Sequence, residues 1–134
     1  MFAGILARAG VLLAAVACPV LAQSRVSVRL THPGPESFVF QPARVTVKPG
    51  EILEFTVESG GPYMIGFEPA DFGPRERNLM DAAMPDRTAS LRSAVLPRPG
   101  SRLQLVLPAL PSGSYRFSAV THIAYRMAGV LVVP

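Results

Sequence analysis

Apolar and polar residues alternate along several short segments of this chain, as they do in β-strands that bury one face. The segments with this period are residues 25–31, 52–58, 102–107 and 115–120. Shorter extended segments are expected at residues 38–40, 44–47, 63–67 and 130–133. Turns rich in Pro and Gly, such as Lys48-Pro49-Gly50-Glu51, separate many of them. Seven or eight short strands joined by turns predict an all-β fold, an antiparallel Greek-key β-sandwich.

Residues 68–100 interrupt this pattern, because they are rich in Pro, Asp and Arg and show no period of two. Within them, residues 76–84 place Leu79, Met80 and Met84 close together at helical spacing, which predicts a short helix. The remainder of this region is predicted to be an ordered loop.

The first 22 residues have the pattern of a secretory signal peptide. Arg8 is their only charge, an uninterrupted apolar run follows it, and the small residues Val20-Leu21-Ala22 precede a polar start at Gln23. We therefore expect cleavage after Ala22, one domain over residues 23–134, and a periplasmic or secreted protein. A lipoprotein acylated at Cys18 is the minor alternative. The run is too short to span a bilayer, so no membrane span is expected.

The composition excludes several classes of partner and of reactive site. The net charge is +4, and the basic residues are scattered singly, which argues against a nucleic-acid partner. The single Cys lies at position 18, so residues 23–134 hold no thiol and no disulfide. No nucleophile–base–acid set, phosphate-binding loop or zinc-ligand cluster is visible, and we do not expect an enzyme.

Three segments carry a family resemblance. Phe40-Gln41-Pro42 precedes the 45–51 strand and turn, Gly61-Pro62-Tyr63-Met64 opens a later strand, and residues 113–129 read GSYRFSAVTHIAYRMAG. The last segment resembles the pattern Gly-x-Tyr-x-Phe-x-Cys-x-x-His-x-x-x-x-Met-x-Gly of the cupredoxins, in particular the small bacterial plastocyanin-like proteins. The resemblance covers residues 25–134. It implies a cupredoxin sandwich and, at family level, copper binding and electron transfer.

In such proteins two His and one Cys bind copper in a plane, and a Met is the weak axial ligand. The resemblance places His122 and Met127 at retained ligand positions. Tyr63 stands where the family has its first His, and Ala119 stands where it has the Cys. A type 1 blue site is therefore not expected, because Ala119 offers no thiolate.

Each of these residues also has a plainer interpretation. His122 is equally an ordinary, partly buried His, and Met127 fills core space. Tyr63 is expected to cover the site and to offer its hydroxyl to His122. His32 is a possible extra ligand, although a turn residue before Pro33 is the favoured interpretation. The other methionines, Met64, Met80 and Met84, are expected to serve core and helix packing.

Three functional hypotheses follow. The first is an exported plastocyanin-like protein, whose family function is copper binding and electron transfer but which lacks the Cys and one His ligand. The second is a copper-free interaction module with an exposed apolar rim around Tyr63, Ile123 and Tyr125, and the third is a weak, non-blue Cu(I) carrier that uses His122 and Met127. The expected cofactor is thus weakly bound copper or none, and the expected partner is a periplasmic protein, redox or structural. We expect the protein to be a monomer.

Overall fold

Two four-stranded sheets pack face to face in the computed structural model, which describes residues 23–134. The first sheet has the order β2-β1-β4-β6 and the second the order β3-β8-β7-β5. The strands are β1 Arg25–Gly34, β2 Ser37–Gln41, β3 Arg44–Thr46, β4 Ile52–Val57, β5 Ile65–Phe67, β6 Arg102–Val106, β7 Gly113–Ala119 and β8 Ala128–Val133. The predicted sandwich is confirmed. The predicted signal peptide, residues 1–22, lies outside the described residues.

The sheets are mixed, whereas the sequence had predicted antiparallel pairing throughout. β1 pairs with β4 in parallel, and β3 pairs with β8 in parallel. The cause is a crossing: the chain leaves the first sheet after β2, forms β3 in the second, and returns as β4 beside β1. Such a crossing joins the two sheets and does not follow from the alternation of any single strand.

Alternation along β7 decides which residues face the core. Tyr115, Phe117 and Ala119 are buried, and Arg116 between them is exposed. The ring of Phe117 meets Phe40 and Phe55 from the first sheet edge-to-face, with centroid distances of 4.9 and 5.2 Å. This geometry is favourable for aromatic rings and fixes the spacing of the two sheets.

The helix α1 runs from Pro74 to Ala83, so it begins and ends slightly earlier than the predicted 76–84. Pro74 is at its first position, where the missing amide hydrogen costs nothing. Met84 follows the last turn and donates its amide to the Met80 carbonyl at 3.1 Å. Among residues 23–134, no helix combines the length and the apolar character that a membrane crossing requires.

β7 runs between the two ends of the sandwich. We call the end around Ala119 the tip, formed by residues 32–38, 59–64 and 119–127. We call the opposite end the base, formed by the turn 48–51 and the segment 107–113, which are joined by the Gly50 amide and the Leu107 carbonyl at 2.8 Å. A 3-10 helix, Val120–Tyr125, follows β7 at the tip.

Candidate functional site

The residues at the family's ligand positions meet at the tip. Ala119 donates its amide to the Met127 carbonyl at 3.0 Å, so the two ends of the 119–127 loop are joined. Two further hydrogen bonds join this loop to the segment before β5: Val120 amide to Met64 carbonyl at 2.8 Å, and Thr121 hydroxyl to Pro62 carbonyl at 3.2 Å. The spacing of the motif had predicted this convergence of Tyr63, Ala119, His122 and Met127.

Phe38 lies at the centre of an aromatic cluster at the tip. Its ring centroid is 4.1 Å from that of His32 and 4.2 Å from that of His122. The His32 ring is nearly parallel to that of Phe38, at 10°, and the His122 ring is tilted by 37°, so both imidazoles pack against Phe38. Tyr125 adds a further tilted contact at 4.8 Å.

Tyr63 is fully buried beneath this cluster. Its ring centroid is 4.9 Å from that of His122. Its hydroxyl donates to the Ser59 carbonyl at 2.7 Å. Burial raises the pKa of the phenol above its ordinary value of 10.0.

Two expectations for Tyr63 are therefore wrong. Its hydroxyl hydrogen bonds to Ser59 and not to His122, because the ring enters from the loop that follows β4 and points back toward that loop. It is also absent from the exposed rim, since none of its surface is accessible.

The hydrogen bonds of His32 and His122 indicate which nitrogen of each neutral imidazole carries the proton. His32 Nδ1 lies 2.9 Å from the Ser37 carbonyl, which only accepts, so Nδ1 carries the proton. The Thr121 hydroxyl donates to the Pro62 carbonyl, so its oxygen accepts from His122 Nδ1 at 2.9 Å. In both residues the free lone pair is consequently at Nε2. Burial, and then the nearby His32, lower the pKa of His122.

These residues do not fit a type 1 copper centre. Ala119 presents a buried methyl group in place of a thiolate, and the Tyr63 oxygen is engaged by Ser59. No group of three or more His, Cys, Asp or Glu side chains suited to a metal ion occurs in residues 23–134. His122 and the buried Met127 are the remaining family donors.

The other methionines take no part in the tip cluster. Met80 and Met84 are buried in the core, as the sequence had predicted. Met64 is only half-buried, and its sulfur accepts a hydrogen bond from the Thr88 hydroxyl at 3.8 Å.

Ile123 and Tyr125 are the exposed large apolar residues of the tip, at 62 and 45% of their maximal surface. Both belong to the 3-10 helix that follows β7. The sequence pattern does not identify Phe38, the central ring, as a site residue, because Phe38 lies in the same extended segment as Phe40 and the pattern predicts only a strand there. The turn of Pro35 and Glu36 immediately before β2 is the signal that Phe38 lies near the start of that strand, beside the loops of the tip.

The fold resembles solved structures of plastocyanin, pseudoazurin and amicyanin, which are cupredoxins, whereas no family model matches the chain. A mutant plastocyanin of fern is 27% identical, with a TM-score of 0.61, over 81% of this chain and 100% of that chain. Pseudoazurin from Methylobacterium extorquens AM1 is 22% identical, with a TM-score of 0.54, over 82% of this chain and 75% of that chain. A mutant of amicyanin in its reduced Cu(I) form is 14% identical, with a TM-score of 0.56, over 86% of this chain and 87% of that chain. Together with the two-sheet topology and the tip geometry, these similarities show that the chain has a cupredoxin-like fold.

Proposed function

We propose that this protein is an exported, copper-free binding module, built on a cupredoxin sandwich, that contacts a protein partner through its tip. The observation that carries the proposal is the closure of the tip by side chains of the chain itself. Tyr63 is a buried ring at the family's first ligand position, and His122 packs against both Tyr63 and Phe38.

The tip lacks the main copper ligands that electron transfer by a type 1 site requires. A type 1 site takes its redox behaviour from the copper–thiolate bond, and Ala119 supplies none. Tyr63 would have to bind as a phenolate, which its raised pKa disfavours. Copper binding by His122 and Met127 alone would be weak, and it is an outcome that the experiment below distinguishes.

The binding role rests on the exposed face of the 3-10 helix. Tyr125 presents an aromatic ring that Phe38 holds in place at 4.8 Å, so little side-chain freedom is lost on binding. Ile123 adds an exposed apolar side chain two residues away. Tyr is enriched among the residues that dominate binding energy at protein interfaces. An enzymatic role is not proposed, since both imidazoles are stacked against Phe38 and residues 23–134 contain no thiol.

Copper titration of the exported protein tests the closed tip. We expect no intense blue absorption with Cu(II). We also expect the change His122→Ala to lower any Cu(I) affinity by no more than about tenfold. The double change Tyr63→His with Ala119→Cys should produce a blue species on the same fold. Blue colour in the unaltered protein would overturn the proposal. A folded double variant that stays colourless would show that the loops have lost the ligand geometry, which favours the binding role further.

Site-specific photocrosslinking in the periplasm tests the binding face. A crosslinker at position 125 should give a discrete protein adduct. The matched control is position 106, because Val106 is 48% exposed against 45% for Tyr125 but lies near the base. Adducts of equal yield at both positions, or at neither, would contradict the proposed face.

A further inference from the structure

A cavity of about 480 Å³ lies beside the tip, on the outer face of the second sheet. Gly66, Ser118 and Ala128 form its floor, and they are paired in register across β5, β7 and β8. Because all three are small, the face of the sheet is concave there. A volume of this size is ordinary for pockets that hold small molecules, about 300–1,000 Å³.

The walls of the cavity come from two segments that flank this floor. Val120 and Ile123 of the 3-10 helix form one wall, and Ser90 and Arg92 form the other. A Cβ atom at position 66 would lie 2.6 Å from Val120 Cγ2 and 3.9 Å from Arg92 Cγ. A side chain at Gly66 would therefore collide with Val120, so this part of the cavity requires glycine.

The segment that carries Arg92 is held in a fixed conformation. Asp81 of α1 accepts from the Leu91 amide at 2.7 Å and from the Ser90 hydroxyl at 2.8 Å. Leu91 has a positive φ of 59°, an unfavourable conformation for a non-glycine residue that these bonds maintain. Arg92 donates its amide to the Ala89 carbonyl at 3.1 Å. The backbone that carries Arg92 at the cavity is consequently fixed before any ligand arrives.

The charges at the two ends of the cavity differ. At one end, Arg116 is bound by Asp71 through Nη2 and Nε at 2.8 and 2.9 Å, and Glu68 lies close enough to raise the pKa of Arg116 further. At the other end, no carboxylate of the described residues lies within 4.0 Å of the Arg92 guanidinium. One end therefore carries two carboxylates around one guanidinium, and the other carries a guanidinium without an ion pair.

We propose that this cavity binds a small amphipathic carboxylate. The carboxylate group pairs with Arg92, and the apolar body lies on the Gly66–Ser118–Ala128 floor against Val120 and Ile123. A guanidinium is well suited to bidentate carboxylate binding. Asp71 and Glu68 repel a carboxylate from the opposite end, so the ligand binds in one orientation. This site is separate from the copper ligand positions and does not depend on the proposed binding role of the tip.

Titrations with three probes of equal chain length test the proposal by amide chemical shifts of the labelled, exported protein. The probes are octanoate, octan-1-ol and octylammonium. Octanoate should give saturating shifts centred on Gly66, Arg92 and Ser118. Octan-1-ol should bind about fivefold or more weakly, and octylammonium should give no saturating shift.

Variants separate the charge from the cavity. Arg92→Gln should weaken octanoate about fivefold or more and leave octan-1-ol unchanged. Ala128→Leu, which fills the exposed floor, should weaken both. The control Arg102→Gln, on the outer face of the other sheet, should alter neither. Equal affinity for octanoate and octan-1-ol, shifts centred on Tyr125 in place of Gly66, or no saturating shift at all would each overturn the proposal.

Discussion

Two tyrosines, one at each end of the sandwich, make the same hydrogen bond in different settings. At the base, the Tyr115 hydroxyl donates to the carbonyl of Pro111, four residues earlier, at 2.7 Å. At the tip, Tyr63 donates to the carbonyl of Ser59, also four residues earlier, at 2.7 Å. Both rings are buried, and burial raises both pKa values. The tip, where the family resemblance places a metal ligand, is therefore built like the structural base.

The largest expected effect comes from removing each ring. Tyr63→Ala and Tyr115→Ala should each lower the free energy of unfolding by about 3–5 kcal/mol, because each leaves a cavity in place of a buried aromatic ring. Chemical denaturation measures both. A cost below about 1 kcal/mol for Tyr63→Ala alone would show that the tip loops are independent of the core, and the comparison would fail.

A pair of glycines sharpens the comparison at the next level. Gly60 has a φ of +75°, and a Cβ there would lie 2.5 Å from the Tyr63 hydroxyl and 2.9 Å from His32 Cβ. Gly50 at the base has a φ of +92°, but a Cβ there would have no atom within 4 Å. Gly50→Ala should cost about 1–2 kcal/mol for the left-handed backbone alone. Gly60→Ala should cost about 1–3 kcal/mol more, because the ring of Tyr63 must move. If chemical denaturation gives the same loss of unfolding free energy for both variants, the ring of Tyr63 moves aside at no cost.

Removing only the hydroxyl groups tests the hydrogen bonds themselves. Tyr63→Phe and Tyr115→Phe should each cost about 1 kcal/mol, since each leaves one carbonyl without its partner. Thermal unfolding of the two variants, side by side, gives the comparison. A loss confined to Tyr115→Phe would show that the Ser59 carbonyl at the tip is satisfied by water.

The smallest effects concern pH, and they separate the tip from the outer face of β7. The pKa of His122 in the folded protein is lower than its ordinary 6.5, mainly through burial and then through His32. As the pH falls, His122 is therefore protonated in the unfolded chain before it is protonated in the folded protein. The contribution of the neutral imidazole to folding stability is consequently lost as the pH falls below 6.5. The pKa of Asp71 is lowered from 3.8 mainly by its hydrogen bond from Arg116, so that contribution is lost only as the pH falls below 3.8.

Profiles of Tm against pH should show both windows. His122→Phe, which keeps a ring against Phe38, should flatten the profile between about pH 7 and 5. Asp71→Asn should flatten it below about pH 4 and leave the upper window unchanged. If His122→Phe leaves the upper window as steep as before, another group controls it.

The sequence predicted the sandwich and the meeting of the ligand positions, because both follow from local information. Alternation identified most strands, and the spacing from Ala119 to Met127 fixed the loop that follows β7. The parallel pairing of β1 with β4 escaped prediction, since it depends on the crossing of β3 to the second sheet.

The details of the tip could not be predicted from the same signals. The direction of the Tyr63 hydroxyl depends on the path of the loop at Ser59, which alternation does not define. The packing of two imidazoles against Phe38 depends on contacts between segments far apart in sequence. The cavity at Gly66 was also missed, because it requires the register of three strands at once.

The buried ring of Tyr63 has a consequence for how the protein matures. In the copper-free role proposed above, the tip is completed by its own side chains without metal insertion after folding, and residues 23–134 carry no thiol that must be kept reduced until then. Its amount in the cell should accordingly be independent of the copper supply, in conditions where proteins that require the metal for stability become scarce.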